Sequence, residues 1–235
     1  MGRTFVTGDC HGSLDKIINF IKKFDLKEGD SIIVCGDLAL AWHKDQKDYN
    51  YHIENYEANC NGVDLYWIDG NHENFDIIKS WNCEKEIYNN SPHIHYCPRG
   101  SELIIGVEVN ENHTILRKCL CLGGADSVDK FRRTKHLSWW EEETITEDDI
   151  KGIEGNYYYV FTHCCPYSVF NSNRIYLCTL NNITESNAIH ESEYMLDKVK
   201  DNIKFEKWFF GHYHVNKELE DGKFQCLLDD FIELS

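Results

Sequence analysis

The stretch RTFVTGDCHG, residues 3–12, runs an apolar, β-branched segment straight into a glycine-rich turn loaded with ligand-type side chains. Behind it, Leu14, Ile17, Ile18, Ile21 and Phe24 recur at helical spacing, with Ser13 placed to cap. The same theme returns twice. Ser31–Asp37 is a β-branched strand ending in Gly36-Asp37, and Asp64–Asn71 is an apolar strand ending in Gly70-Asn71-His72-Glu73. Between them, a Tyr- and Asp-rich stretch over about residues 45–60 reads as a further helix. Strand, loop, helix, repeated in order, predicts an α/β architecture with its polar residues at the carboxyl ends of strands, where open α/β sheets place ligands.

Further out, Glu102–Val109, Ile115–Gly124, Asn156–Cys165, Lys207–Tyr213 and Phe224–Leu228 read as strands, several with short connections. Helical patterns are sparser there: Ser138–Glu143, about Glu147–Ile153, and Asn187–Asn202. The expectation is two packed sheets with helices outside, the second sheet more antiparallel. Neither a composition break nor an internal repeat divides the 235 residues, so one domain over 1–235 is expected. With 24 Lys and Arg against 40 Asp and Glu, the formal charge is −16. Affinity for a phosphate backbone rests on clustered Lys and Arg, so long polyanions such as nucleic acid are not the expected partner. No run approaches a membrane span, and no secretory signal opens the chain. The eleven cysteines lack paired CxxC spacing and are read as reduced thiols in a cytoplasmic protein, which leaves the sequons at Asn112 and Asn182 without meaning.

Five motifs punctuate the strand ends: Gly8-Asp9-Cys10-His11-Gly12, Gly36-Asp37, Gly70-Asn71-His72-Glu73, Thr162-His163, and Gly211-His212-Tyr213-His214. Carboxylate, imidazole and amide oxygen suit Mn, Fe, Zn or Mg better than a soft thiolate site would. In extended backbone, residues i and i+2 face the same way and lie roughly 6.6 Å apart. Asp9 with His11, and His212 with His214, are thus expected to present pairs of ligands to one cavity. Two carboxylates against two divalent cations leave two positive charges, which a hydroxide and a phosphate ester would neutralise. Such a pair can clamp the attacking and leaving oxygens of an in-line displacement.

This ordered set, running from Asp9 to His214, resembles the calcineurin-like metallophosphoesterase superfamily, whose pattern is D-x-H, G-D, G-N-H-[ED], a later H, and G-H-x-H. GNHENF, CPRG, GGADSVDKFRR and SWWEEE are similar to a group of small bacterial and phage-type members described as phosphoprotein phosphatases. The opening GDCHGSLDKI is also similar to RNA lariat debranching enzymes, although the chain is too short for their extra C-terminal region. The resemblance implies a four-layer α/β sandwich of two mixed sheets flanked by helices. It implies Asp9, His11 and His214 on a first metal, Asp37 bridging, and Asn71, His163 and His212 on a second. His72 would lie over the substrate. The implied activity is hydrolysis of phosphate mono- or diesters by a bridging hydroxide. A debranching-like nuclease and a metal-binding scaffold without catalysis are the alternatives.

One departure stands out. In the phosphoprotein phosphatases proper, an Asp three residues after Gly-Asp orients the catalytic histidine, and Arg-Gly follows. Here that position is Leu40, in GDLALAW, with no Arg after it. His72 lacks that carboxylate partner unless Glu73 or another acid takes the role, and Arg99 and Arg133 are the candidate phosphate-binding residues, with Arg132 and Arg174 behind them. His93, His95 and His136 read as loop histidines. Cys10, Cys35, Cys164 and Cys165 read as buried inert thiols facing away from the ligands. The acidic clusters Glu141–Glu143 and Glu147–Asp149 read as a solvated helix face and a helix start. Trp139 and Trp140 fit either the core or the cleft rim, and Tyr157–Tyr159 fit strand propensity.

Overall fold

Alternation along the motif-bearing strands decides the layering. In β1 (Thr4–Thr7) Phe5 and Val6 face opposite ways, and in β2 (Ser31–Val34) Ile32 and Val34 oppose Ile33. A strand buried on both faces needs a layer on each side. The computed structural model, which describes residues 2–42, 46–80, 91–110, 113–178 and 190–235, supplies both. One side of the first sheet packs on α1 (Asp15–Phe24), α2 (Gln46–Asn59) and α3 (Phe75–Ser80), where Ile17, Ile18, Ile21 and Tyr56 meet Ile32, Val34, Leu65 and Trp67. The other side packs on the second sheet through Val6, Ile33, Ile68, Tyr159, Phe161 and Phe209.

The first sheet runs β11-β1-β2-β3-β4, with β3 at Asp64–Trp67, β4 at Ile94–Tyr96 and β11 at Ile232–Glu233. Its β1 to β4 are parallel, and only β11 is antiparallel. The second runs β5-β6-β7-β8-β10-β9, formed by Ser101–Asn110, His113–Leu122, Gly155–Thr162, Ile203–Phe210, Phe224–Cys226 and, at the edge, β9, Lys217–Leu219. It has two antiparallel pairs to the first sheet's one, but both lie at its margins: β6, β7, β8 and β10 are parallel. Its outer face carries α4 (Tyr167–Ser172), α5 (Arg174–Leu177) and α6 (Glu191–Asn202), which bury Val169, Phe170, Leu177, Leu196 and Val199 on Val160, Trp208 and Phe210. The protein is therefore an α/β sandwich of two mixed sheets flanked by helices.

Two expected helices are absent. Residues 138–143 form only a 3-10 turn at Glu141–Glu143, and 147–153 form turns closed by Asp149, whose carboxylate accepts the Thr146 N–H at 2.7 Å. That side-chain bond offers the backbone an alternative to helix. Nor is the acidic cluster simply solvated: Glu143 is only 1% exposed. The start of the expected helix at residues 187–189, and both sequons, lie outside the described residues. No disulfide joins the described cysteines, and burial raises the Cys35, Cys164 and Cys165 thiols well above their ordinary range and Cys10 to about 12. Such thiols stay protonated and unreactive. Tyr157 and Tyr159 are buried strand residues, and both Trp139 and Trp140 are buried.

Candidate metal centre

The five motifs follow β1, β2, β3, β7 and β8, so the parallel strands deliver them to one edge of the sandwich. Backbone bonds lace the loops together there: Cys10 and His11 N–H both donate to Asp37 O, and Gly211 N–H donates to His163 O. The ligand pairs do not use extended backbone as expected. His11, Asp37, His212 and His214 all have positive φ, between 49° and 67°. Non-glycine residues in this region cost of order 1–3 kcal/mol each and persist where the surroundings hold them. The twist sends His212 and His214 to different partners instead of one shared face.

His214 Nε2 lies 3.0 Å from His11 Nε2 and 3.1 Å from Asp9 Oδ2, with His11 Nε2 3.5 Å from that same oxygen. His212 instead places Nδ1 3.0 Å from Asn71 Oδ1, whose other neighbour is His163 Nε2 at 3.2 Å. Asp37 sits between the two groups, with Oδ1 3.3 Å from His163 Nε2 and Oδ2 3.9 Å from His11 Nδ1. Glycine is required beside both carboxylates. A Cβ on Gly211 would lie 2.2 Å from Asp9 Oδ1, and one on Gly70 equally close to Asp37 Oδ1.

Three observations test whether these residues fit a cation. Asp9 Oδ2 is buried and makes no hydrogen bond, although two imidazole nitrogens stand beside it. A buried acceptor left bare is costly unless a cation uses it. His163 gives the second test. Its Nδ1 lies 2.8 Å from the Cys35 carbonyl, which only accepts, so Nδ1 carries the hydrogen. Its Nε2 then faces the oxygens of Asp37 and Asn71, and only a positive centre at Nε2 makes that arrangement favourable. In the third test, the donors form three overlapping mixed groups: Asp9, His11 and His214, then Asp9, Asp37 and His163, then His11, Asp37 and His72, each with atoms within 4.8 Å of one another. With two carboxylates and no sulfur, the set suits a hard or borderline divalent ion.

The electrostatics agree. Burial pushes the Asp9 and Asp37 carboxyls up, but nearby histidines outweigh it: His214 and His163 hold Asp9 low, and His163 and His72 hold Asp37 very low. Burial alone would lower His163, yet Asp37 raises it to about 10. His212, buried beside that imidazolium, falls to about 3. Without metal, one proton on Nε2 of His163 thus plays the cation's part, and a metal must displace it.

The cleft above these donors is about 270 Å³ and is lined by Asp37, Asn71, His72, Asp129, Arg133 and the His212–His214 loop, with Val128. His72 is held through its backbone N–H, which donates to Asp37 Oδ1 at 2.8 Å. Its Nε2 lies 3.2 Å from Arg133 Nη2 and 4.0 Å from Asp37 Oδ2, and its ring packs 5.2 Å from Trp42. Glu73 does not orient it: the buried Glu73 Oε1 accepts the Ala39 N–H at 3.0 Å, bracing the turn after Asp37. Leu40 is fully buried in the core. Burial, with Arg133 and His11 nearby, lowers the His72 pKa despite Asp37.

Of the candidate arginines, only Arg133 reaches this cleft. Asp129 fixes its Nε at 2.6 Å, leaving Nη2 beside His72. Arg99 is committed elsewhere. Its Nε and Nη2 donate to Asp69 Oδ2 at 2.9 and 2.7 Å, Nη1 reaches Asp149, and the carbonyls of residues 142–144 take the rest. A guanidinium with every nitrogen occupied has no fork to offer a phosphate, so Arg99 is a structural residue. Arg132 lies against exposed Phe131, and Arg174 against Phe170.

A supporting layer escaped the motif reading. The Asn71 amide donates to Ser127 Oγ at 3.1 Å, which turns its oxygen toward His163 and His212. Glu143 in turn takes the Ser127 N–H and the Trp139 indole, both at 2.8 Å. Burial raises Glu143 to about 7. A carboxyl with a raised folded pKa binds its proton more tightly when folded, so stability falls as pH rises from the unfolded pKa, near 4.5, to about 7. Glu143→Gln, which mimics the protonated acid, should flatten that fall, gaining on the order of 3 kcal/mol over wild type at pH 8 and nothing at pH 4. Thermal melts at both pH values measure it; parallel pH profiles would show that Glu143 does not titrate in this range.

Comparison with known proteins places this geometry. None of the curated proteins matches the chain by sequence. Among solved structures, GAP50, the anchor in the inner membrane complex of Plasmodium, aligns at 12% identity over 97% of this chain and 71% of its own, with a TM-score of 0.50. Phosphopantetheinyl hydrolase (PptH) from Mycobacterium tuberculosis aligns at 12% identity over 97% and 89%, with a TM-score of 0.37. The first likeness is one of fold alone. No helix among the described residues is long and apolar enough to cross a membrane. The model of the calcineurin-like phosphoesterase family matches residues 2–216, spanning all five strand-end motifs, and the chain belongs to that family.

Proposed function

We propose that this protein hydrolyses phosphate esters in the cleft above the aspartate and histidine cluster, using two divalent cations. Asp9, His11, Asp37 and His214 would hold one; Asp37, Asn71, His163 and His212 would hold the other. The observation that carries this reading is the His163 side chain, locked by the Cys35 carbonyl so that Nε2 faces Asp37 and Asn71 oxygens. When bound, such a metal pair supplies an acidified water as nucleophile and Lewis-acid contacts to the phosphate oxygens. Asp37, with one oxygen toward each donor group, is the residue suited to be shared.

The chain's own groups do the rest. Arg133, anchored by Asp129, points Nη2 into the cleft, where a guanidinium binds phosphate oxygens and offsets charge building on the transferring group. His72 accepts from Arg133 at Nε2 and so rests neutral, with its proton on Nδ1. Burial and the Arg133 charge favour that neutral form, so the ring would hold no spare proton for the departing oxygen and would instead position Arg133 and the transferring group. Trp42 and His11 both pack against the ring.

The test pairs p-nitrophenyl phosphate with its bis ester, adding Mn²⁺ back after chelation. Turnover restored by Mn²⁺ is the expected result, and the preferred ester separates monoesterase from diesterase. Bound metal with no turnover on either ester would overturn the reading in favour of a non-catalytic scaffold. Arg133→Ala should lower kcat/KM by about 10²–10³-fold, the usual cost of losing one preorganised electrostatic donor. Metal content should stay unchanged, because Arg133 touches none of the seven ligands proposed above. Unaltered kinetics would remove Arg133 from the phosphate site.

A further inference from the structure

At the amino-terminal end of β3, the far end of that strand from the cleft, a second group of donors converges. Glu57 on the last turn of α2, Cys60 just beyond it and His93 ahead of β4 place ligand atoms within 4.8 Å of one another. Two outer contacts hold them in place. The buried Ser91 hydroxyl donates to the Glu57 carboxylate while accepting the His93 and Ile94 N–H groups at 3.3 and 2.9 Å. His93 Nδ1 lies 3.1 Å from Asp64 Oδ1, and that carboxylate also meets His95 Nε2 at 3.2 Å. With Nδ1–H donating to Asp64, the lone pair of His93 is left on Nε2. A carboxylate fixing the tautomer of an imidazole is the usual support behind a metal-binding histidine.

We propose that Glu57, Cys60 and His93 form a separate divalent-metal site, suited to Zn²⁺. The donors are one thiolate, one carboxylate and one neutral imidazole, three protein ligands that leave a fourth tetrahedral position open. Their two negative charges balance one divalent cation. Cys60 is 2% exposed, whereas Glu57 and His93 are half-buried and give the ion a way in. At rest the Cys60 thiol donates weakly to the Glu57 carbonyl at 3.7 Å, and the backbone N–H groups of Gly62 and Val63 lie against its sulfur. Binding breaks its S–H bond, forms the metal–sulfur bond and releases that proton to solvent. The sulfur sets this site apart from the cleft cluster, which has none. Its role is to fasten the end of α2 to the start of β4.

Cobalt reads the difference directly. The full-length protein, stripped with chelator and titrated with Co²⁺, should develop a sulfur-to-cobalt charge-transfer band in the near ultraviolet, and Zn²⁺ should displace it. Cys60→Ser should abolish the band. His93→Gln keeps the thiol and alters a partly exposed side chain, so it tests the site even where Cys60→Ser disturbs folding; the Co²⁺ affinity read from the band should fall more than tenfold. Asp64→Asn, which weakens the support behind His93 and the His95 contact but touches no proposed ligand atom, should weaken it by about 10–100-fold. A wild-type protein saturated with Co²⁺ but lacking the band, or a band that persists in Cys60→Ser, would overturn the proposal.

Discussion

Asp37→Asn is expected to lower kcat/KM by about 10³-fold or more, since losing one preorganised electrostatic contributor typically costs about 10²–10³ in kcat and this residue is also the ligand proposed to be shared. The fold should survive. Asparagine keeps an oxygen for the His72 N–H, which now donates to Oδ1 at 2.8 Å. What the metal-free protein loses is the buried Asp37–His163 ion pair, and relief of the repulsion with Asp9 offsets only part of that loss. The metal-free variant should therefore remain folded but melt below the wild-type temperature, while the gain in melting temperature on adding Mn²⁺ shrinks sharply. Melting with and without Mn²⁺, beside kinetics on p-nitrophenyl phosphate, separates the cases. Wild-type turnover in the variant would defeat the mechanism, and a collapse of the metal-free fold would show that Asp37 is first a structural residue.

Much of this site was legible in order along the chain, and the reason is topological. Parallel strands all end at the same edge, so Gly-Asp, Gly-Asn-His and Gly-His-x-His motifs at successive strand ends meet whatever the exact register. What the spacing concealed is backbone conformation. His212 and His214 stand two apart, and extended geometry would aim them together, but their positive φ angles part them toward Asn71 and Asp9. The supporting layer was hidden for a different reason. Glu143 sits in a run of three glutamates that composition assigns to solvent, and only the fold of residues 123–144 turns one of them inward onto Ser127 and Trp139. Local sequence likewise could not rank Arg99 against Arg133. Both lie near glycine- or aspartate-rich turns, and what separates them is whether buried acceptors take up the guanidinium.

That separation has a large consequence for stability. Arg99 joins three segments: Asp69 at the end of β3, the carbonyls of residues 142–144, and Asp149. Asp69 has no exposure at all; its remaining partners are the Tyr96 hydroxyl at Oδ1 and, through its carbonyl, the Gly124 N–H. Arg99→Ala leaves this carboxylate buried without its counter-charge and strips the Glu142 and Thr144 carbonyls of their donor, while the Glu143 carbonyl keeps the Ala125 N–H. Breaking one side of a buried ion pair costs about 3–5 kcal/mol, a large fraction of a typical domain's stability. Because the 142–144 segment carries Glu143, loosening it should also free Ser127 and with it the Asn71 amide, so metal affinity should fall even though Arg99 touches no ligand. Arg99→Met combined with Asp69→Asn removes both charges and keeps much of the volume, and should recover a substantial part of the lost stability. Denaturant melts of the two single variants and the pair measure the coupling. A stable Arg99→Ala protein that binds metal normally but has lost phosphate affinity would reverse the assignment and return Arg99 to the substrate.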